Sequence, residues 1–161
     1  MGQVKTYKCA FKHCKHENED IPQNEAVKVG NRYMHDDCSK ISENITQIRD
    51  IYYEKVSNTV VVKQLVSAIN TLVFTKKIDS EYLLFALNYA ITNKTPIKSP
   101  YGLHYLVDNN RIKDAWKKKQ SSVIKKQIEN EEITYEEPNQ TSFNFTVERN
   151  TGFGGIFKGG N

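Results

Sequence analysis

The sequence is poor in the residues and runs that mark several protein classes. Of 161 residues, three are cysteine, four proline and one tryptophan. An odd, small cysteine count argues against a disulfide framework. No apolar run reaches the roughly 18 to 20 residues a membrane-spanning helix needs, which excludes a helical membrane span. The first residues, Met-Gly-Gln-Val-Lys-Thr-Tyr-Lys-Cys, contain no apolar stretch followed by a small-residue cleavage site. The sequence therefore predicts a cytoplasmic protein with no export leader. No Gly-x-x-x-x-Gly-Lys-Ser/Thr phosphate loop occurs, and the glycines near the C-terminus do not form a dinucleotide fingerprint. Serine, histidine and aspartate occur in no recognisable nucleophile setting, so a non-enzymatic role is expected. Net charge is only +4, with 26% charged and 38% hydrophobic residues. Such a chain has enough apolar content to fold, and its overall charge names no partner.

What is present is concentrated. Cys9, Cys14 and Cys38 all lie in the first quarter, together with His13, His16 and His35. Cys9 and Cys14 form one close pair; twenty residues later His35 and Cys38 form another. Two close pairs flanking a longer loop is how tetrahedral zinc is usually ligated, and four protein ligands leave no open position for water. Three thiolates and one imidazole are thus expected to hold a structural Zn2+, with His13 or His16 as possible replacements for Cys14. Between the pairs, Ala26–Val29 and Arg32–Met34 flank Gly30-Asn31 and read as a hairpin. Spaced i and i+3, His35 and Cys38 fall on one face of a helix's first turn, where Asp36 and Asp37 suit the helix dipole. The segment's few apolar residues are Tyr7, Phe11, Ile21, Val27, Val29, Tyr33 and Met34. A piece this poor in apolar side chains needs a staple, and metal binding supplies one.

A knuckle, a hairpin and a helix carrying the second ligand pair resemble a treble-clef zinc finger over about residues 5–45. The pair spacing also resembles the first half of a LIM domain, and similar small fingers occur in bacteriophage proteins. The sequence departs from LIM in having four residues inside the first pair and no second zinc half. The resemblance therefore implies the metal site and not LIM partner choice.

The middle of the chain carries helical periodicity. Ile41, Ile45, Ile48, Tyr52 and Val56 mark one amphipathic helix; Val61, Leu65, Ala68, Ile69 and Leu72 mark a second, although its valine-rich start also suits a strand. Asp79 is the expected N-cap of a third, apolar nearly all round from Tyr82 to Ile91 and ended by Asn93, Pro96 and Pro100. One or two turns follow over Tyr101–Val107. Asn109 or Asn110 then caps a last helix running through Trp116 to about Ile128. A bundle with Tyr101 and Trp116 in its core is expected. The stretch from Tyr82 to Trp116 resembles the helical module of DnaD-like replication proteins, which implies a replication or recombination setting.

Arg111, Lys113, Lys117, Lys118, Lys119, Lys125 and Lys126 stand against a single acid, Asp114, and an acidic run from Glu129 to Glu137 follows. Such a helix can neutralise phosphates with salt-sensitive affinity, and the dominance of lysine over arginine disfavours base-specific reading. The same run can equally be a solvated face. Past Pro138, residues 141–148 alternate as a strand does, and 151–161 are glycine-rich. Phe143, Phe145, Phe153 and Phe157 are candidates for docking on a partner from a flexible tail.

The expectation is an α+β, mainly α protein with a treble-clef zinc module at 1–40, a helical domain at 41–128 and a tail at 129–161. The expected function is a non-enzymatic zinc-finger adaptor in nucleic-acid metabolism, of the type of a phage transcription or replication regulator. It would contact DNA, RNA or a polymerase-type complex, in the host cytoplasm if phage-encoded. The alternative is a protein-binding module or inhibitor of a host enzyme that uses its C-terminal tail as the recognition peptide.

Overall fold

The computed structural model describes residues 5–16 and 20–132, with side chains through residue 128. The chain divides into two units, Met1–Ile124 and Lys125–Asn161. Phe143, Phe145, Phe153, Phe157 and the expected strand over 141–148 lie outside the described residues.

The first unit begins with two small antiparallel ribbons. β1 (Thr6–Tyr7) pairs with β2 (Ile21–Pro22), placing Thr6 opposite Pro22 and Tyr7 opposite Ile21. β3 (Val27–Val29) pairs with β4 (Arg32–Met34), placing Val29 opposite Arg32. Gly30 takes the corner between them at φ +60°. A positive φ at the first of two turn residues is the pattern of a type II′ hairpin, the position that selects glycine. The two ribbons are joined through side chains: Tyr7 and Tyr33 stack with centroids 3.8 Å apart and planes at 17°. The Ala10 N–H also donates to the Tyr33 carbonyl at 2.9 Å.

Helices make up the remainder: α1 (Asp36–Ile51), α2 (Val62–Asn70), α3 (Ser80–Thr92), α4 (Gly102–Asp108) and α5 (Asn110–Glu132). α1 and α2 each run on into a wider π turn, Tyr52–Val56 and Thr71–Thr75. There Ser57 N–H reaches the Tyr52 carbonyl and Lys76 N–H the Thr71 carbonyl, five residues back. α3 starts as its sequence predicts. The Asp79 carboxylate accepts from the N–H groups of Glu81 at 2.6 Å and Tyr82 at 3.3 Å. At the start of α5, Asn109 accepts from the Arg111 N–H at 2.9 Å. Both are side-chain caps of the kind that satisfies orphan helix donors.

The hydrophobic core lies among the helices. Ile48 and Tyr52 of α1 and its π turn, Leu65, Ile69, Leu72 and Val73 of α2 and its π turn, and Leu83, Ala86, Leu87 and Ala90 of α3 are buried. Leu103, Leu106 and Val107 of α4 and Ile112 of α5 complete the cluster. α1 packs along α3, and the Asn44 amide donates to the Ser80 hydroxyl at 3.0 Å. Two expectations fail. Val61 is 55% exposed because it is the extended residue before α2 rather than part of its buried face. Tyr101 is likewise 55% exposed, standing at the start of the short α4, whose inward positions are Leu103, Leu106 and Val107. Trp116 is half-buried against Phe85 and Tyr82. No described helix is long and apolar enough to cross a membrane.

Candidate metal centre

The ribbons and α1 bring the two Cys/His pairs together. Cys9 and Cys14 sit in the loop that leaves β1, where the Cys14 N–H closes a turn onto the Phe11 carbonyl at 3.1 Å. β4 delivers His35, which is the N-cap residue of α1, and Cys38 lies in the first turn of that helix. The hairpin therefore sets where the second pair lands, and the helix sets the spacing between its members.

The donor atoms of Cys9, Cys14, His35 and Cys38 all lie within 4.8 Å of one another, in a group that could hold a metal ion. Cys14 Sγ is 3.4 Å from His35 Nδ1, Cys38 Sγ is 3.7 Å from Cys14 Sγ, and Cys38 Sγ is 3.9 Å from His35 Nδ1. In a tetrahedral centre with metal–sulfur bonds of about 2.3 Å and metal–nitrogen bonds of about 2.0 Å, two sulfurs stand about 3.8 Å apart and a sulfur and nitrogen about 3.5 Å. The sulfur–sulfur separation is close to the first value, and the two sulfur–nitrogen separations bracket the second. A disulfide needs sulfurs only about 2.05 Å apart, and all three cysteines are free thiols. Cys38 is buried, the other three members of the group half-buried.

The electrostatics of the cluster fit a cation between these groups. Burial opposes ionisation of the Cys9 thiol, but backbone hydrogen bonds from His35 and Phe11, helped by the Cys14 and Cys38 thiols, hold its pKa below the usual thiol value. Burial pushes the Cys38 thiol far up, and the Cys14 thiol, the Cys9 thiolate and the Asp37 carboxylate push it further. Several anionic sulfurs in so small a space repel one another, and a divalent ion removes that conflict.

A support lies behind the ligands. The Asp37 carboxylate accepts from the Cys38 N–H at 2.8 Å and lies 3.0 Å from His16 Nε2. Burial raises the Asp37 pKa, but the His16 contact and the Cys38 N–H more than offset it, so the group is more acidic than usual. The His16 ring lies with its centroid 4.2 Å from that of His35. His16, His35 and Asp37 form a second compact group, sharing His35 with the first. Asp37 thus fixes the backbone N–H of Cys38, and His16 ties that carboxylate back toward the knuckle. The sequence offered Asp37 only as a helix-dipole residue; its place between His35 and Cys38 was the available signal. The alternatives to Cys14 now have places of their own. His13 stacks on Phe74 with centroids 3.8 Å apart and planes at 17°, and His16 pairs with Asp37.

The basic residues are on α5. Arg111, Lys117, Lys118 and Lys119 are exposed, and Lys113 is half-buried with its ammonium 3.9 Å from Asp108. Lys119 lies over the rings of Phe85 and Trp116, 5.4 and 5.3 Å from their centroids. Lys125 and Lys126 are exposed and belong to the second unit. Arg111 and Lys118 share one side of the helix and Lys113 and Lys117 another, so the charge surrounds α5 rather than forming one stripe.

Compared with models of protein families, with curated proteins and with solved structures, the chain matches none.

Proposed function

We propose that the protein is a non-enzymatic adaptor of nucleic-acid metabolism, built around a structural zinc finger of treble-clef type. Three sulfurs and an imidazole nitrogen make a soft, tetrahedral donor set that suits zinc over magnesium or calcium. Four protein donors fill the shell, so the ion holds the fold together rather than activating water. Cys9, Cys14, His35 and Cys38 are the ligands, and Asp37 with His16 orients the second pair.

The observation that carries the nucleic-acid part of this reading is the surface of α5. Of Arg111, Lys113, Lys117, Lys118 and Lys119, Lys113 alone is in an ion pair among the described residues. Unpaired cations on an exposed helix gain from counterion release at phosphates. Such contacts position a protein without reading sequence, which suits a regulator or replication adaptor that docks within a larger complex in the cytoplasm.

A gel-shift titration of the full chain with duplex DNA, single-stranded DNA and RNA at two salt concentrations tests the proposal. Binding that weakens as salt rises is expected, and on duplex DNA Lys117→Gln with Lys118→Gln should lower the salt slope by about 0.9 per lost phosphate contact. Absence of binding to every nucleic acid at low salt overturns the reading. It would leave the finger as a stapled scaffold for a protein partner.

A further inference from the structure

The basic helix offers charge for phosphates; a second face offers a place for an unpaired base. Two clefts, of about 640 and about 490 Å³, meet where the knuckle of the finger touches the helices, and His13 and Phe74 line both. Lys15 and Lys77 line the larger and Lys63 the smaller. Lys12 and Lys76, exposed, are chain neighbours of lining residues. Asp79 is the acid that faces the larger cleft, and its carboxylate is already engaged in capping α3. Among the described residues Lys12, Lys15, Lys63, Lys76 and Lys77 take part in no ion pair. Lys77 takes the left-handed conformation, φ +57°, just past the π turn, as Lys94 does at φ +52° just past α3.

The floor is aromatic and apolar. One face of the His13 ring lies flat on Phe74, Phe11 meets it edge-on with centroids 6.2 Å apart, and the residue as a whole is exposed. Val62 and Val66 continue the floor along α2. Polar groups stand beside it without partners. Of the hydroxyls at the smaller cleft, that of Thr71 returns to the Ser67 carbonyl four residues back, as those of Thr46, Thr92 and Ser121 do at their own helices. The Ser67 and Thr75 hydroxyls and the Asn70 amide, which line the smaller cleft, have no hydrogen-bond partner among the described residues.

We infer that this face binds single-stranded RNA. Phosphates lie along Lys15, Lys63 and Lys77, a base stacks on His13, and ribose hydroxyls meet Ser67, Asn70 and Thr75. An aromatic platform inside a basic rim is how unpaired bases are gripped, and the 2′-hydroxyl, both donor and acceptor, is what separates RNA from DNA. In a duplex both faces of each base are already stacked, so a duplex cannot use the platform. The inference rests on the nucleic-acid reading above but places the contact on a different face.

The test is a fluorescence-anisotropy titration of the full chain, purified with zinc, against 12-mer oligo-U, oligo-dT and a duplex. Three variants go with it: His13→Ala; Lys15→Glu with Lys77→Glu; and Lys117→Glu with Lys118→Glu on α5. The expected result is preference for oligo-U, a loss of about tenfold with His13→Ala, and a salt slope smaller by about 1.4 in the Lys15/Lys77 variant. The α5 variant should bind oligo-U nearly as the parent does. An amide NMR fingerprint establishes that each variant is folded; the exposed lysine pair decides the matter if His13→Ala loosens the knuckle. Binding lost in the α5 variant and kept in the Lys15/Lys77 variant overturns this inference and leaves the nucleic-acid reading standing. Oligo-dT or duplex bound as tightly as oligo-U overturns the assignment to single-stranded RNA. No binding by the parent chain at low salt overturns both.

Discussion

Removing the metal should unfold the N-terminal module and leave the helices standing. The buried core of the helices, from Ile48 through Ile112, contains no residue of the ribbons. The ribbons' own buried apolar side chains are Ile21, at 1% exposure, and Met34, at 8%. At about 1.5–3 kcal/mol each they supply about 3–6 kcal/mol. A thiolate-rich zinc site supplies on the order of 10 kcal/mol. The metal term is thus the larger, and the ribbons β1 to β4 should lose their order when it goes. The measurement is an amide-resolved NMR spectrum recorded during titration with a chelator, alongside far-ultraviolet circular dichroism. Amides of β1 to β4 should collapse to random-coil positions while those of α2, α3 and α4 keep their dispersion and the helical signal persists. Dispersed amides at Val27–Met34 in metal-free protein would refute the argument, because the hairpin would then be self-supporting. So would loss of the helical signal in step with the metal.

Three further outcomes follow from named contacts. X-ray absorption on the zinc-loaded chain should give three sulfur neighbours at about 2.3 Å and one nitrogen at about 2.0 Å, and Cys38→Ser should remove one sulfur; a shell of oxygen and nitrogen alone would contradict the assigned ligands. Tyr52 is fully buried and its hydroxyl has no partner among the described residues, so Tyr52→Phe should stabilise the fold by about 1 kcal/mol. That would raise the melting temperature by about 2–4 °C, whereas destabilisation would mean the hydroxyl holds a buried water. Asp79→Ala should cost about 1 kcal/mol in a denaturant titration, with Asp79→Asn losing much less; equal losses would show that charge rather than capping is what matters there.

The parts of this protein that were legible in its sequence are those set by local chemistry. The convergence of Cys9, Cys14, His35 and Cys38 follows from spacing alone, because a hairpin of fixed length returns the second pair to the first. Asp79 and Asn109 announce helix starts because an acceptor on a short side chain reaches the free amides wherever the chain turns helical. The pairing of β1 with β2 was not legible: strands of two residues carry no periodicity. Nor did the sequence reveal that α1 and α2 widen into π turns, since the apolar spacing of Ile48, Tyr52 and Val56 is the same for either helix. His13 drew attention as a metal-type residue beside Cys14. Its stacking on Phe74, sixty-one residues later, depends on tertiary packing that no local pattern records.

α1 belongs to two structures at once. Cys38 near its beginning belongs to the group that could hold a metal ion, and Ile48, ten residues and about 15 Å further along, is anchored in the helical core. The helix therefore behaves as a rod pinned at both ends. Oxidant or a competing soft metal acting on the sulfurs would release one pin, and the freed end would carry the knuckle, and the ring seated on Phe74, away from its mooring. Thiol chemistry at residue 38 thus has a mechanical reach well beyond the coordination sphere.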